Sequence, residues 1–225
     1  MPRFARNGSV LQSHGALLVL ILLLCVIFVV QNIVGAQAYF RFMLVPANVT
    51  ISCHEILAGD ISNHTGPDLL TLFTYAFLHN GIGHLLGNLL FLWVFAAIAI
   101  DLLGNRWMLF TFAFTAVCGG VFHVVMAPED PVPMLGASGA ASGFAGLYLG
   151  MAVRWQLPDP SVWPIARPVP PSSLVMIAVF GLVMDLLGNA TGASNIAYGA
   201  HLGGFVAGMI LGGAVVPMPR VALPR

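Results

Sequence analysis

The chain has 225 residues, of which 59% are apolar and 7% charged: eight Arg, no Lys, and eight Asp plus Glu, for a net charge of zero. A soluble domain carries about 25% charged residues, so this inventory cannot build a water-facing surface. With a mean hydropathy of +0.94 it excludes an ordinary cytosolic enzyme, a nucleic-acid binder working through basic patches and a disordered chain, leaving an all-α polytopic membrane protein.

A membrane span needs roughly 20 mostly apolar residues. After a short tail (1–15), Ala16–Val34 is the first such run. It is too long for a cleaved signal peptide, and Gln31-Asn32 stand where a small-residue cleavage site would be. The segment Gly35–Asp68 is a long loop of mixed character, expected to pack on or in the outer interface. Leu69–Ile100 is apolar throughout, but as one helix it would run about 48 Å, and His79-Asn80-Gly81 breaks it. The break predicts an interfacial segment over Leu69–Leu78 and a second span over Ile82–Ile100. The third, fourth, fifth and sixth spans are predicted at Trp107–Ala127, Met134–Val153, Ser173–Gly188 and Ile196–Val216. Residues 16–216 thus form one membrane domain, 217–225 a second short tail, and the Pro-rich stretch Gln156–Pro171 a linker. The 25 Gly argue against a simple bundle of Leu-rich anchors, and Cys25, Cys53 and Cys118 are too scattered for a disulfide framework or metal knuckle.

Six spans leave both termini on one side. That side holds Arg3, Arg6, Arg106, Arg154, Arg167, Arg220 and Arg225, against Arg41 alone on the other. The asymmetry predicts cytoplasmic termini. The Arg-only, Ala/Gly/Pro-rich usage and short tails point to a bacterial plasma membrane. Glu55, Asp60, Asp68, Glu129 and Asp130 fall on the outer loops.

Polar groups inside a bilayer are costly and mark functional candidates. With this orientation Ser138 lies about 6 Å and His201 about 7 Å below the outer end of their spans. His84 and Asn88 occupy the first two turns of the second span. A Ser, a His and a His/Asn pair thus meet at one level, although Arg counting alone set the orientation. Ser138 stands in Gly136-Ala137-Ser138-Gly139, where small neighbours admit a substrate backbone and a helix N-terminus supplies free N–H groups for an oxyanion. Small residues recur four apart at Gly139/Gly143, Gly146/Gly150 and Gly204/Gly208/Gly212, which lets helix backbones approach closely. His84 and Asn88, four apart, share a helix face.

Gly136-Ala137-Ser138-Gly139, Ala200-His201-Leu202-Gly203-Gly204 and His84-Leu85-Leu86-Gly87-Asn88 resemble, in order and in helix placement, the motifs of the rhomboid intramembrane serine proteases. The resemblance covers about residues 69 to 212. It implies a six-transmembrane-helix bundle with a water-filled cavity open to the outside, and a serine endopeptidase acting through a Ser–His dyad. Ser138 is then the nucleophile and His201 the general base, with His84, Asn88 and the Ser138 backbone N–H stabilising the oxyanion. It further implies single-pass or other membrane-protein substrates cut near their outer ends, in the lipid bilayer, with no cofactor, metal or nucleic-acid partner. The chain departs from the family pattern in two places. Gly35–Asp68 contains no Trp-Arg pair, and Ser142 stands where some bacterial members place a Tyr that stacks on the catalytic His.

The remaining polar residues read as structural. His79 is assigned to the interface, and His123 to the outer end of the third span. Asp185, in the fifth span, is left structural because the resemblance requires no triad acid. Asp101 ends the second span on the opposite side, so Asp101 and Asp185 cannot share a proton as an aspartyl pair does. His54-Glu55 starts a zinc-protease motif, but Ala58 takes the second ligand's place. Two other functions compete with proteolysis: a proton-linked channel lined by His84, His123 and His201, and a non-catalytic binder of client helices.

Overall fold

A computed structural model describes residues 10–160, 169–191 and 197–224. Arg3, Arg6, Arg167, Arg225 and Ile196 lie outside the described residues. The helices in chain order are α1 (Val10–Val34), α2 (Ala36–Tyr39), α3 (Pro46–Ala58), α4 (Thr65–Thr74), α5 (Ile82–Leu103), α6 (Asn105–Met126), α7 (Ser138–Arg154), α8 (Pro171–Thr191) and α9 (Tyr198–Ile210). A π-turn over Leu211–Val215 extends α9. Five of the described helices are long and apolar enough to cross a membrane: α1, α5, α6, α8 and α9 with its extension. The predicted fourth span, α7, is shorter at 17 residues and built largely of Gly, Ala and Ser. It needs little hydropathy of its own because the other helices surround it.

Several predicted boundaries move. The fourth helix starts at Ser138, not Met134. Pro131 and Pro133 keep the preceding segment extended, and Met134 exchanges backbone hydrogen bonds with Leu44 (3.1 and 2.8 Å). The fifth helix runs from Pro171, tolerated in a first turn where no N–H is needed, to Thr191. The sixth begins at Tyr198. The predicted break at His79-Asn80-Gly81 is present: Gly81 has φ +99 and precedes the first residue of α5.

The segment between α1 and α5 packs α3 on α4, and both on α6. Ser52 Oγ donates to Asp68 (3.0 Å), and Glu55 accepts from Ser62 Oγ (2.8 Å) and Thr65 Oγ1 (2.6 Å). Tyr75, the residue immediately after α4, joins this segment to the bundle. Its hydroxyl donates to the Ala116 carbonyl (2.8 Å), and its own carbonyl accepts from Gly136 N–H (3.0 Å). The hydroxyl fills space that Gly119 and Gly139 leave open, and the ring fills that left by Gly120.

Glycines also set the packing of α7 on α9. A Cβ on Gly146 or Gly150 would overlap the carbonyl of Phe205 or Met209. From the other side, a Cβ on Gly204, Gly208 or Gly212 would overlap the carbonyl of Gly139, Gly143 or Leu147. The two backbones therefore touch along about three turns, as the four-residue spacing predicts. At the far end of the bundle Asp101 pairs with buried His14 of α1 (3.3 Å), well away from Asp185. After α7, Trp155–Gln156 pairs antiparallel with Leu223–Pro224. Arg154 lies over the Trp155 ring (4.3 Å) and donates to the Val216 carbonyl (3.2 Å).

Candidate active site

Because α5, α7 and α9 run in one direction, their N-termini share one end of the bundle. There they enclose a cavity of about 1240 Å³. Its lining includes Ser138 and Ser142 of α7, His201 of α9, and His84 and Asn88 of α5, together with His123 and Asp185. All four residues singled out from the sequence therefore face one space. The cavity continues between α5 and α8, where Gly83, Gly87 and Phe91 line one side and Ile177, Phe180 and Met184 the other.

Ser138 is the first residue of α7, with Ala137 before it making the first turn's hydrogen bond to Ala141 N–H (2.9 Å). Its backbone N–H belongs to the set that no helical carbonyl can reach. The turn leading into it depends on Gly136, whose φ of +133 disfavours a side chain, and where a Cβ would come 2.7 Å from His84 Cε1 and 2.8 Å from Nε2. The imidazole of His84 thus lies against the backbone two residues before Ser138.

The polarity of that ring follows from its other nitrogen. Asn80 N–H donates to His84 Nδ1 (3.3 Å). A neutral imidazole accepting at Nδ1 carries its proton on Nε2, so an N–H donor faces the turn before Ser138. Asn88, one helical turn along, is buried, and its side-chain nitrogen has no acceptor among the described residues. Two neutral donors thus converge beside a helix N-terminus with little to bind in the protein itself.

His201 lies in the first turn of α9, and its hydrogen bond runs from Nδ1 to Asp185 Oδ1 (2.9 Å) rather than to Ser138. Asp185, read as structural from the sequence, is therefore a site residue. The available signal was its being the sole ionisable residue in the 21 residues of α8. His79, assigned to the interface, is instead buried at 2% exposure, with its ring 5.4 Å from that of His84. Burial, and secondarily His84, lowers its pKa to about 4, so it brings no charge to the site at neutral pH. His123 lines the cavity with Nδ1 close to Gly199, where a Cβ would come within 2.8 Å. Among the described residues no group of His, Cys, Asp and Glu is arranged to hold a metal ion.

Residues 66–218 match the family model of the Rhomboid domain. Among curated proteins, the chain is 29% identical over 185 residues to a putative rhomboid protease, YdcA, of Bacillus subtilis, covering 81% of this chain and 86% of that one. It is 31% identical over 160 residues to RHOMBOID-like protein 12, mitochondrial, of Arabidopsis thaliana, covering 64% of this chain and 46% of the relative. It is 23% identical over 204 residues to the chloroplastic Rhomboid-like protein 11 of the same plant, covering 84% and 69%. The matched part of this chain thus spans about half of the mitochondrial relative and most of the bacterial one.

Proposed function

The chain belongs to the rhomboid family, and we propose that it is an intramembrane serine endopeptidase in which Ser138 and His201 form the catalytic dyad. The observation that carries this reading is the convergence of Ser138, His201, His84 and Asn88 on one cavity, from three helices distant in sequence. Ser138 Oγ attacks the carbonyl carbon of a peptide bond while His201 accepts the hydroxyl proton. The negative charge that develops on the carbonyl oxygen meets the Ser138 N–H, the Nε2–H of His84 and the side-chain amide of Asn88. Collapse of the tetrahedral adduct passes the proton from His201 to the leaving amine and leaves an acyl group on Ser138. Water then releases that group with His201 again acting as base.

The substrates of this reading are membrane-anchored helices, cut near the end at which α5, α7 and α9 begin. That end faces away from the cytoplasm, so both termini are cytoplasmic, and residues 16–216 form the protease domain in a bacterial plasma membrane. The direct test is cleavage of a reporter transmembrane helix by purified enzyme in liposomes, with labelling of Ser138 by a fluorophosphonate. Ser138→Ala and His201→Ala are expected to abolish cleavage at unchanged protein level. Full activity in Ser138→Ala sinks the assignment, and probe labelling without any turnover favours a client-binding role.

A further inference from the structure

A carboxylate in an apolar helix needs a partner, because an unpaired ionisable group in a membrane span costs several kcal/mol. Asp185 stands alone in this respect on α8, and the partner it finds is the ring assigned above as the base. We infer that Asp185 is a positioning residue for His201, so that the site works as a Ser–His–Asp constellation in place of a dyad. The inference rests on the Ser138–His201 reading.

Two side-chain relationships fix the geometry. The first is the hydrogen bond from His201 Nδ1 to Asp185 Oδ1 at 2.9 Å, with the two side chains 17% and 19% exposed. The second lies about one turn along each helix. The ring of Tyr198, three residues before His201, occupies the space that Gly188, three residues after Asp185, leaves free, and any Cβ there would overlap it. Both pairs obey one antiparallel register, so the seat of Tyr198 on Gly188 brings Asp185 level with His201. Tyr198 also meets the His201 ring edge-on at 6.4 Å. The ring is thus held from the α8 side by a carboxylate and from its own helix by an aromatic.

The chemistry follows from which nitrogen is engaged. Bonded to a carboxylate, Nδ1 keeps its proton, which leaves the Nε2 lone pair as the base for a hydroxyl. When Nε2 takes the Ser138 proton, the imidazolium forms beside a negative charge that stabilises it, and Asp185 itself never needs to be protonated. The other polar groups of the cavity wall include His84 from α5, His123 from α6, Ser138 and Ser142 from α7, and Asp130 from the segment between α6 and α7. Asp130 Oδ1 accepts from Val132 N–H (2.9 Å), whereas Asp185 is the carboxylate hydrogen-bonded to the His201 ring, so Asp185 is the anion placed to do this.

The test uses the full-length enzyme in liposomes and compares Asp185→Asn, Asp185→Ala and Asp185→Glu with wild type and Ser138→Ala. Rates are taken per molecule that keeps the wild-type thermal transition. Asp185→Asn and Asp185→Ala are expected to lower kcat for a reporter helix by about 100-fold with KM unchanged, and to slow fluorophosphonate labelling in proportion. Asp185→Glu recovers part of the rate. Wild-type kcat in Asp185→Asn and Asp185→Ala, with Ser138→Ala inactive, overturns the inference and leaves the dyad standing. A purely structural role for Asp185, shown by a kcat loss that tracks lost thermal stability and is not recovered in Asp185→Glu, overturns it as well. Activity in Ser138→Ala removes the underlying reading instead.

Discussion

Gly208 lies directly on the carbonyl oxygen of Gly143, so that a Cβ at position 208 and that oxygen would occupy the same space. The same relation holds one turn earlier between Gly204 and Gly139, next to Ser138. The contact has no slack, because both partners are backbone and neither can change rotamer. Gly208→Ala and Gly204→Ala are each expected to lower stability by about 1–3 kcal/mol or more, the range for overpacking a close-packed interior. Gly213→Ala is the control: its nearest non-local neighbour would be 3.9 Å away, so removing a flexible Gly leaves stability unchanged or raised by up to about 1 kcal/mol. Thermal unfolding in detergent compares the three.

Asn88 presents the opposite balance. Its side-chain nitrogen is buried and unpartnered among the described residues, and an unsatisfied buried donor costs about 1–3 kcal/mol. Asn88→Ala is therefore expected to leave the thermal midpoint unchanged or higher. The proposed oxyanion role predicts a kcat lower by roughly 100-fold or more, the scale seen when one such donor is removed. A variant that loses stability and keeps full activity contradicts both halves of the argument.

Gly136→Ala combines two faults at one position. It forces a side chain onto φ +133 and drives a Cβ to 2.7 Å from the His84 ring. The backbone strain alone is worth about 1–3 kcal/mol. Since His84 must move to relieve the clash, kcat is expected to fall more than the loss of folded protein explains. Kinetics normalised to the fluorophosphonate-reactive fraction separate these contributions.

Tyr75→Phe removes one atom from the join between the α3–α4 segment and the bundle. The hydroxyl donates to the Ala116 carbonyl at 2.8 Å inside a fully buried setting, so the expected loss is about 1 kcal/mol. The ring carbon Cε1 still fills the space beside Gly120, while the space beside Gly119 and Gly139, met by the hydroxyl, is opened by one atom, and activity should survive. Chemical unfolding of the two proteins, with reporter cleavage measured in parallel, checks both statements.

The loop between α3 and α4 carries a pH dependence of known sign. Hydrogen bonds from Thr65 and then Ser62 hold the Glu55 pKa below its ordinary value, with His64 assisting. A carboxyl whose folded pKa is depressed stabilises the fold above its unfolded pKa and loses that contribution as pH falls through the folded value. Acidification below the ordinary glutamate range is therefore expected to loosen residues 55–65. Faster amide exchange there at low pH, abolished as a pH effect in Glu55→Gln, is the measurement.

Much of the bundle is legible in the order of residues alone. Runs of apolar residues mark the spans, because no other composition survives in hydrocarbon, and the break at His79-Asn80-Gly81 is visible because Gly81 adopts a conformation that side chains disfavour. The spacing of Gly139, Gly143, Gly146 and Gly150 against Gly204, Gly208 and Gly212 announces the touching of α7 and α9, since small residues one turn apart make a continuous groove. The local motifs likewise mark out Ser138, His201, His84 and Asn88. The start of α7 is less visible. Leu44, some ninety residues away, pairs with Met134 and holds it out of the helix, and no local pattern encodes a partner so remote.

The chain's scarcity of charge and its small-residue spacings determine by themselves that it is a helical membrane bundle with backbones in contact. They are local or compositional properties, and they act wherever the chain is placed. What Asp185 faces is of another kind. A lone carboxylate in an apolar helix declares only that it requires a partner. The register of α8 against α9, set by Tyr198 seated on Gly188, decides that the partner is His201.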